Sequence, residues 1–300
     1  MKRIALLLAA TAFSAPALAA DIVYEEPMAP MAPAPVAIAP VESGWTGFYF
    51  GLQGGAGFNP SSPDRLGITT NGFGIGAASA GTGAPANSGF GAGSIGAAFG
   101  NSFSETFDSG FVGGAHVGYD LQFDRVVVGA VLDINATDIQ MRQEAFSNTP
   151  AFYTATRDLD YLATARLRAG YLVTPSVLAY ATGGAAYGDV SYSFTTDSPA
   201  ATGNARSGAA ALATTSFVDN EDWGYSVGGG MEVKIVDNLS FGAEYLYTNL
   251  GSGDSFTRFE GGPFDGAAGA ARAPGNSTDF TSGGDFDFHT VTAKLSYRFN

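Results

Sequence analysis

The sequence predicts an all-β protein: an eight-stranded antiparallel transmembrane β-barrel, preceded by a signal peptide and a Pro-rich periplasmic segment. Three observations predict it. Beyond Trp45, apolar residues alternate with polar or small ones in eight separate stretches, the pattern of strands with two unlike faces. The connections between these stretches alternate between tight turns and long Gly-, Ala- and Ser-rich segments. Past the N-terminal leader, no stretch has the ~20 consecutive apolar residues of a spanning helix, so a mature chain that crosses a membrane must cross with strands.

The leader comes first. Lys2 and Arg3, the apolar run Ile4 to Phe13 and the small-x-small Ala17-Leu18-Ala19 make residues 1–19 a signal peptide. Residues 20–44 form a second unit, a periplasmic tether: Pro27, Pro30, Pro33, Pro35 and Pro40 exclude helix and sheet and favour polyproline II. Residues 45–300 form the barrel. Its strands fall at 46–58, 109–121, 126–135, 158–172, 177–194, 222–235, 239–248 and 288–299. On the apolar side they carry Phe48, Phe50 and Leu52 in the first, Val126 to Ile134 at every second residue in the third, and Val291 to Phe299 at every second residue in the last. In the fourth that face runs from Leu159 to Tyr171, and in the fifth it comprises Leu178, Tyr180, Val190, Tyr192 and Phe194. Tight turns lie at Gln122 to Arg125, Val173 to Ser176 and Val236 to Asn238. The long connections 59–108, 136–157, 195–221 and 249–287 are expected to be mobile surface loops. Short turns on one side and long loops on the other are the mark of outer-membrane barrels.

Lipid outside, rather than water outside, follows from the charges. Asp133, Arg166, Arg168, Glu232, Glu244 and Lys294, with His116 and Asp120, interrupt the faces opposite the apolar ones. A lipid-facing charge near the midplane costs ~2–4 kcal/mol, so these side chains are expected in the lumen. Counting from the turns, Asp133 is level with Arg166 and Glu244 with Lys294. Two cross-strand ion pairs are therefore expected, joined across the lumen by Arg168 and Glu232 in a structural charge network. Tyr119 and Tyr171 near the turns, and Trp223, Tyr225 and Tyr247 near the loops, give the two aromatic girdles.

Composition limits the function. The full chain carries 14 Lys+Arg against 28 Asp+Glu, a formal net charge of −14. Removing the leader takes two basic residues and leaves 12 − 28 = −16. No electrostatic basis exists for holding nucleic acid. There is no cysteine, hence neither a disulfide nor a thiolate metal site. No cofactor or metal is expected: Asp279, Asp285 and Asp287, with Glu221 and Asp222, lack any calcium-loop spacing and read as solvated acids. Gly72 to Gly76 lacks the Lys and the strand–helix context of a phosphate loop. In the surrounding stretch 71–100 and just beyond it, Phe73, Phe90, Phe99 and Phe103 are available for local packing or for an apolar ligand. His116 and His289 have no Ser two residues on, so no hydrolase spacing is present and an enzyme is not expected, although a distant Ser can still meet a His in space.

Four segments also carry a resemblance: Trp45-Thr-Gly-Phe-Tyr-Phe-Gly-Leu-Gln-Gly-Gly, Tyr180-Ala-Thr-Gly-Gly-Ala-Ala-Tyr-Gly, Glu244-Tyr-Leu-Tyr-Thr-Asn-Leu-Gly and His289-Thr-Val-Thr-Ala-Lys-Leu-Ser-Tyr-Arg-Phe. As a set they resemble the small "porin family" outer-membrane β-barrel proteins of Gram-negative bacteria, over roughly residues 45–299. The resemblance implies the OmpA-type transmembrane fold. Members of that family usually end on an aromatic residue; here Asn300 follows Phe299. Expected partners are outer-membrane lipid and lipopolysaccharide, and the barrel-assembly machinery through the strand Val291 to Phe299. The expected function is a surface-exposed structural barrel that supports envelope integrity and offers its loops to external contacts. A narrow pore for small solutes and a surface receptor or adhesin, for example for haemin, are the alternatives. Eight strands leave a lumen that side chains fill, which argues against an open channel.

Overall fold

The computed structural model describes residues 44–61, 63–71, 99, 102–147, 151–198, 213–218, 223–253, 255–260 and 277–299. The leader, the tether, Phe73, Phe90, Glu221, Asp222 and Asn300 lie outside the described residues. Thirteen strands follow one another: β1 Gly47–Phe58, β2 Gly67–Asn71, β3 Phe103–Asp108, β4 Gly110–Phe123, β5 Val126–Ser147, β6 Ala151–Thr174, β7 Val177–Thr196, β8 Thr214–Phe217, β9 Trp223–Val236, β10 Leu239–Ser252, β11 Ser255–Glu260, β12 Ser277–Ser282 and β13 Asp285–Phe299.

Eight of them close a ring. Neighbours run β1–β4–β5–β6–β7–β9–β10–β13 and back to β1, every pair antiparallel. Closure leaves no unpaired edge along this ring, which is what a lipid environment demands of a sheet. The tight turns are the predicted ones. Asp124 takes a left-handed backbone (φ 54°), a conformation that Asp tolerates better than most residues. Phe50, Leu52, Val128, Leu132, Leu167, Val227, Phe241 and Leu295 project outward and are strongly exposed. Their inward neighbours Tyr49, Val127, Val131, Arg166, Ser240 and Lys294 are buried. The exposed belt is rimmed by aromatics. Phe50 stacks on Phe299 (5.7 Å) at the turn end; Tyr187 meets Trp223 (5.0 Å) and Tyr225 meets Tyr247 (6.1 Å) at the other.

Two strand faces differ from the sequence expectation. In β7, Leu178, Tyr180, Val190, Tyr192 and Phe194 share one face as expected, but that face points inward. Ala179, Ala181, Gly183 and Ala185 form the outer wall instead. With Gly183-Gly184 at its centre and only Ala and Gly opposite from residue 179 to 185, the middle of the strand gives hydrophobicity no means of marking its lipid side. In β6, Leu159 is buried while Leu167 and Tyr171 face out, because a bulge between Leu159 and Tyr161 shifts the alternation by one residue.

The larger difference is on the loop side. A strand needs ~9–11 residues to cross a bilayer, yet β5, β6 and β7 run for 22, 24 and 20 residues. They continue far beyond the belt. β3 pairs with the upper part of β5, Gln140 to Ala145, directly above the part that β4 occupies. A second sheet, β2-β12-β11-β8, stands above β1, β13, β10 and β9. Together these make an outer storey of two half-sheets, β3-β5-β6-β7 and β2-β12-β11-β8. Between them lies a core of Leu66, Ile68, Phe99, Tyr153, Phe259 and Phe280, with Phe103, Tyr192 and Phe194 packed against it. Tyr153 and Phe280 stack at 4.5 Å with their planes 8° apart. Each fully buried aromatic ring of this kind contributes about 1.5–3 kcal/mol. Parts of the segments expected to be mobile are thus strands around an apolar core. The expectation failed because each short stretch buries little alone, and its partners come from other loops.

Candidate functional site

Parity along the strands places the luminal side chains, and register decides which of them meet. Arg166 and Arg168 lie on one face of β6, and Lys294, Ser296 and Arg298 on one face of β13. The lumen is filled in layers. At the turn end of the lumen, Trp45 (1% exposed) covers Val127, Leu172 and Leu178. Its indole Nε1–H donates to the Pro175 carbonyl (3.1 Å) and its backbone N–H to Gln122 Oε1 (3.0 Å). The Arg298 guanidinium donates to the Trp45 carbonyl at 2.6 Å and lies over both the Trp45 and Tyr49 rings. The Lys234 ammonium donates to the Gly44 carbonyl.

Above the floor, Asp120 takes Arg298 (2.8 Å) and Arg168 (3.2 Å), and Arg168 reaches across to Glu232 (3.1 Å). Glu232 also accepts from Ser240 Oγ, and Arg168 donates to Tyr49 Oη. The next layer centres on Glu244, which takes Lys294 and Arg166, both at 3.0 Å, and the Tyr180 hydroxyl at 2.9 Å. Arg166 continues to Asp133 at 2.6 Å, where Thr164 and Asn135 donate as well. Four carboxylates thus face four cations, with all eight side chains at most 8% exposed. Pairing of this kind is what allows charge to exist away from bulk solvent.

The structure buries all six network residues named from the sequence in the lumen, but in two ion layers: Asp133, Arg166, Glu244 and Lys294 in one, and Arg168 and Glu232 with Asp120 and Arg298 in the other. The pairs are diagonal, however, rather than level: Asp133 sits opposite Thr164 and Arg166 opposite Val131, while Glu244 sits opposite Thr292. Counting residues from each turn misses such offsets of two. Arg298 and the two tyrosine hydroxyls were also missed. Arg298 shares the face of Lys294, so parity alone would have found it. Tyr49 shares the parity opposite to Phe48 and Phe50.

A serine does meet a histidine in space. His116 Nε2 lies 2.8 Å from Ser296 Oγ, 180 residues away. Gly51 makes room for the ring: a Cβ there would lie 2.7 Å from His116 and collide with the Leu295 carbonyl. Both side chains are buried, at 2% and 4% exposure, and His116 Nδ1 has no hydrogen-bond partner. Among the described residues no carboxylate accepts from the imidazole, and the hydroxyl is buried, so the contact lacks the orienting group and the accessible nucleophile of acyl transfer.

Gln53 and Asn135 (2.6 Å) lie above the charges, and an apolar layer closes the top: Val112, Ile139, Met141, Leu162, Phe286 and Phe288. Several acids of the outer storey are engaged one by one. Asp279 holds Arg258 by two hydrogen bonds of 2.7 Å, which raise the guanidinium pKa above its ordinary range. Asp285 accepts from Asn249, and the Asp287 carbonyl accepts from Asn59. Among the described residues, no three acidic or histidine side chains converge as metal ligands.

A closed antiparallel ring with an apolar outer belt, two aromatic rims and a charged, filled lumen defines an integral β-barrel protein of the outer membrane. Residues 73–299 match the family described as outer membrane protein beta-barrel domain, and the chain belongs to that family. It is 32% identical over 267 residues to the "31 kDa outer-membrane immunogenic protein" of Brucella melitensis biotype 1 and to that of Brucella suis biovar 1, covering 84% of this chain and 88% of each relative. Among solved structures it is similar to Ail, the attachment invasion locus protein of Yersinia pestis, at 9% identity and a TM-score of 0.27. That match covers 84% of this chain and 99% of Ail, but the likeness is too slight to argue from.

Proposed function

We propose that this protein is a non-conducting structural barrel of the outer membrane. It supports envelope integrity and carries a folded outer storey that makes the external contacts. The observation that carries the reading is the filled lumen. Trp45, two ion layers, the Gln53–Asn135 pair and the Phe286/Phe288 layer follow one another along the barrel axis. The same stack counts against the narrow pore, and the sealed His116–Ser296 contact counts against an enzyme. The aromatic core of the outer storey supports the second half of the reading, since an ordered surface is what selective contact needs. Purified protein in planar bilayers is expected to show no steady ion conductance, and a deletion strain is expected to become sensitive to bile salts and large antibiotics. Stable channel openings, or a deletion strain with an unchanged barrier, would overturn it.

A further inference from the structure

Charge is unevenly divided along the barrel axis. The luminal stack is balanced, but the described residues of the outer storey (59–71, 102–108, 138–160, 188–198, 213–218 and 252–287) hold thirteen carboxylates and four arginines. Within this acidic field lies an open apolar groove of about 570 Å³, near the tip of the β5–β6 hairpin, the longest among the described residues. Phe146 and Phe152 face one another across the two strands and stay 51% and 39% exposed. One row below, Ser104, Glu144 and Thr154 line up across β3, β5 and β6 on the same outward face. The nearest cation on that face, Arg142, donates to Gln140 at 2.7 Å, and among the described residues the Glu144 carboxylate has no hydrogen bond or ion pair.

Two exposed phenyl rings beside an unpaired carboxylate select a particular occupant. Lipopolysaccharide is anionic and meets like charge here. A second copy brings the same acidic storey and is repelled in the same way. We propose that this groove docks a basic, extended segment of an extracellular polypeptide, with an apolar side chain seated between Phe146 and Phe152 and a Lys or Arg paired to Glu144. The acidic field speeds the encounter, and the rings supply the anchor. The inference rests on the reading that the outer storey faces the exterior.

The test uses the full chain in lipid nanodiscs, titrated calorimetrically with a synthetic peptide of alternating Lys and Phe. Counterparts with Glu for Lys, or Ser for Phe, serve as controls. The Lys/Phe peptide is expected to bind, and both counterparts to bind at least about tenfold more weakly. Phe146→Ser with Phe152→Ser, and separately Glu144→Lys, are expected to weaken binding by a similar factor. Heat-dependent gel mobility reports that each variant remains folded. Equal binding to wild type and variants overturns the proposal, as does equal binding of the Glu/Phe peptide. Loss of binding when lipopolysaccharide is added would give the groove to that ligand and also overturn it. A parallel Ser193→Cys variant, in a chain with no other cysteine, is labelled on intact cells with an impermeant maleimide. Labelling without peptide binding sinks the docking inference alone, whereas no labelling sinks the surface reading beneath it.

Discussion

Glu244 accepts from three donors on three different strands: Arg166 of β6, Tyr180 of β7 and Lys294 of β13. Removing it leaves two buried cations short of a partner, a loss of roughly 3–5 kcal/mol. Glu244→Ala is therefore expected to lower the urea midpoint of the barrel in lipid strongly. Adding Lys294→Ala should recover only part of the loss, since Arg166 keeps Asp133 at 2.6 Å while Tyr180 remains unsatisfied. A double-mutant cycle reads the coupling; losses that simply add would show the ion pair to be inert. A second residue-scale expectation concerns glycine. At Gly51 a Cβ meets the Leu295 carbonyl and the His116 ring, whereas at Gly54 its nearest neighbour is Phe111 at 3.9 Å. Gly51→Ala should cost about 1–3 kcal/mol through overpacking and reduce the folded band on unheated gels. Gly54→Ala should leave that band within about 0.5 kcal/mol of wild type.

At the scale of elements, the outer storey depends on strands that cannot stand alone. β8 has four residues and β2 five, well below what an isolated hairpin needs. They are held by pairing to β11 and β12 and by rings such as Phe280, which is fully buried between Tyr153, Phe194 and Phe259. Phe280→Ala is expected to cost about 3–5 kcal/mol of local stability. The eight-strand ring does not use Phe280, so the loss should fall on the storey. Limited proteolysis of intact cells should then cut the variant within the outer storey and leave a protected barrel. A variant as resistant as wild type would mean that the storey is not one cooperative unit.

At the scale of the molecule, the two tryptophans sit in opposite environments. Trp45 closes the floor of the lumen at 1% exposure, and Trp223 stands on the outer wall at 68% in the aromatic rim. Reconstitution with brominated lipids should quench Trp223 strongly and Trp45 weakly. Trp45→Phe is expected to keep the quenching and Trp223→Phe to lose most of it. The opposite result would turn the barrel wall inside out, with every luminal charge exposed to hydrocarbon at ~2–4 kcal/mol each near the midplane.

The number of ring strands, their direction and, for most of them, the side that faces lipid were legible in the sequence. Strict alternation ties each side chain to a face, and a one-residue slip would reverse them all. Phe50 and Leu295 on one parity, and Arg166 and Lys294 on the other, needed no coordinates. Where alternation is carried by small residues, as in β7, the sequence named a consistent face and assigned it to the wrong side. Tertiary structure alone decided the rest, because those contacts join residues that share no local pattern. The diagonal offset between Asp133 and Arg166 is set by hydrogen-bond register across two strands. His116 meets Ser296 because β1 places a glycine between β4 and β13. The outer storey exists because segments from separate loops bury one aromatic core together, and burial shared among distant segments leaves no periodic mark on any one of them.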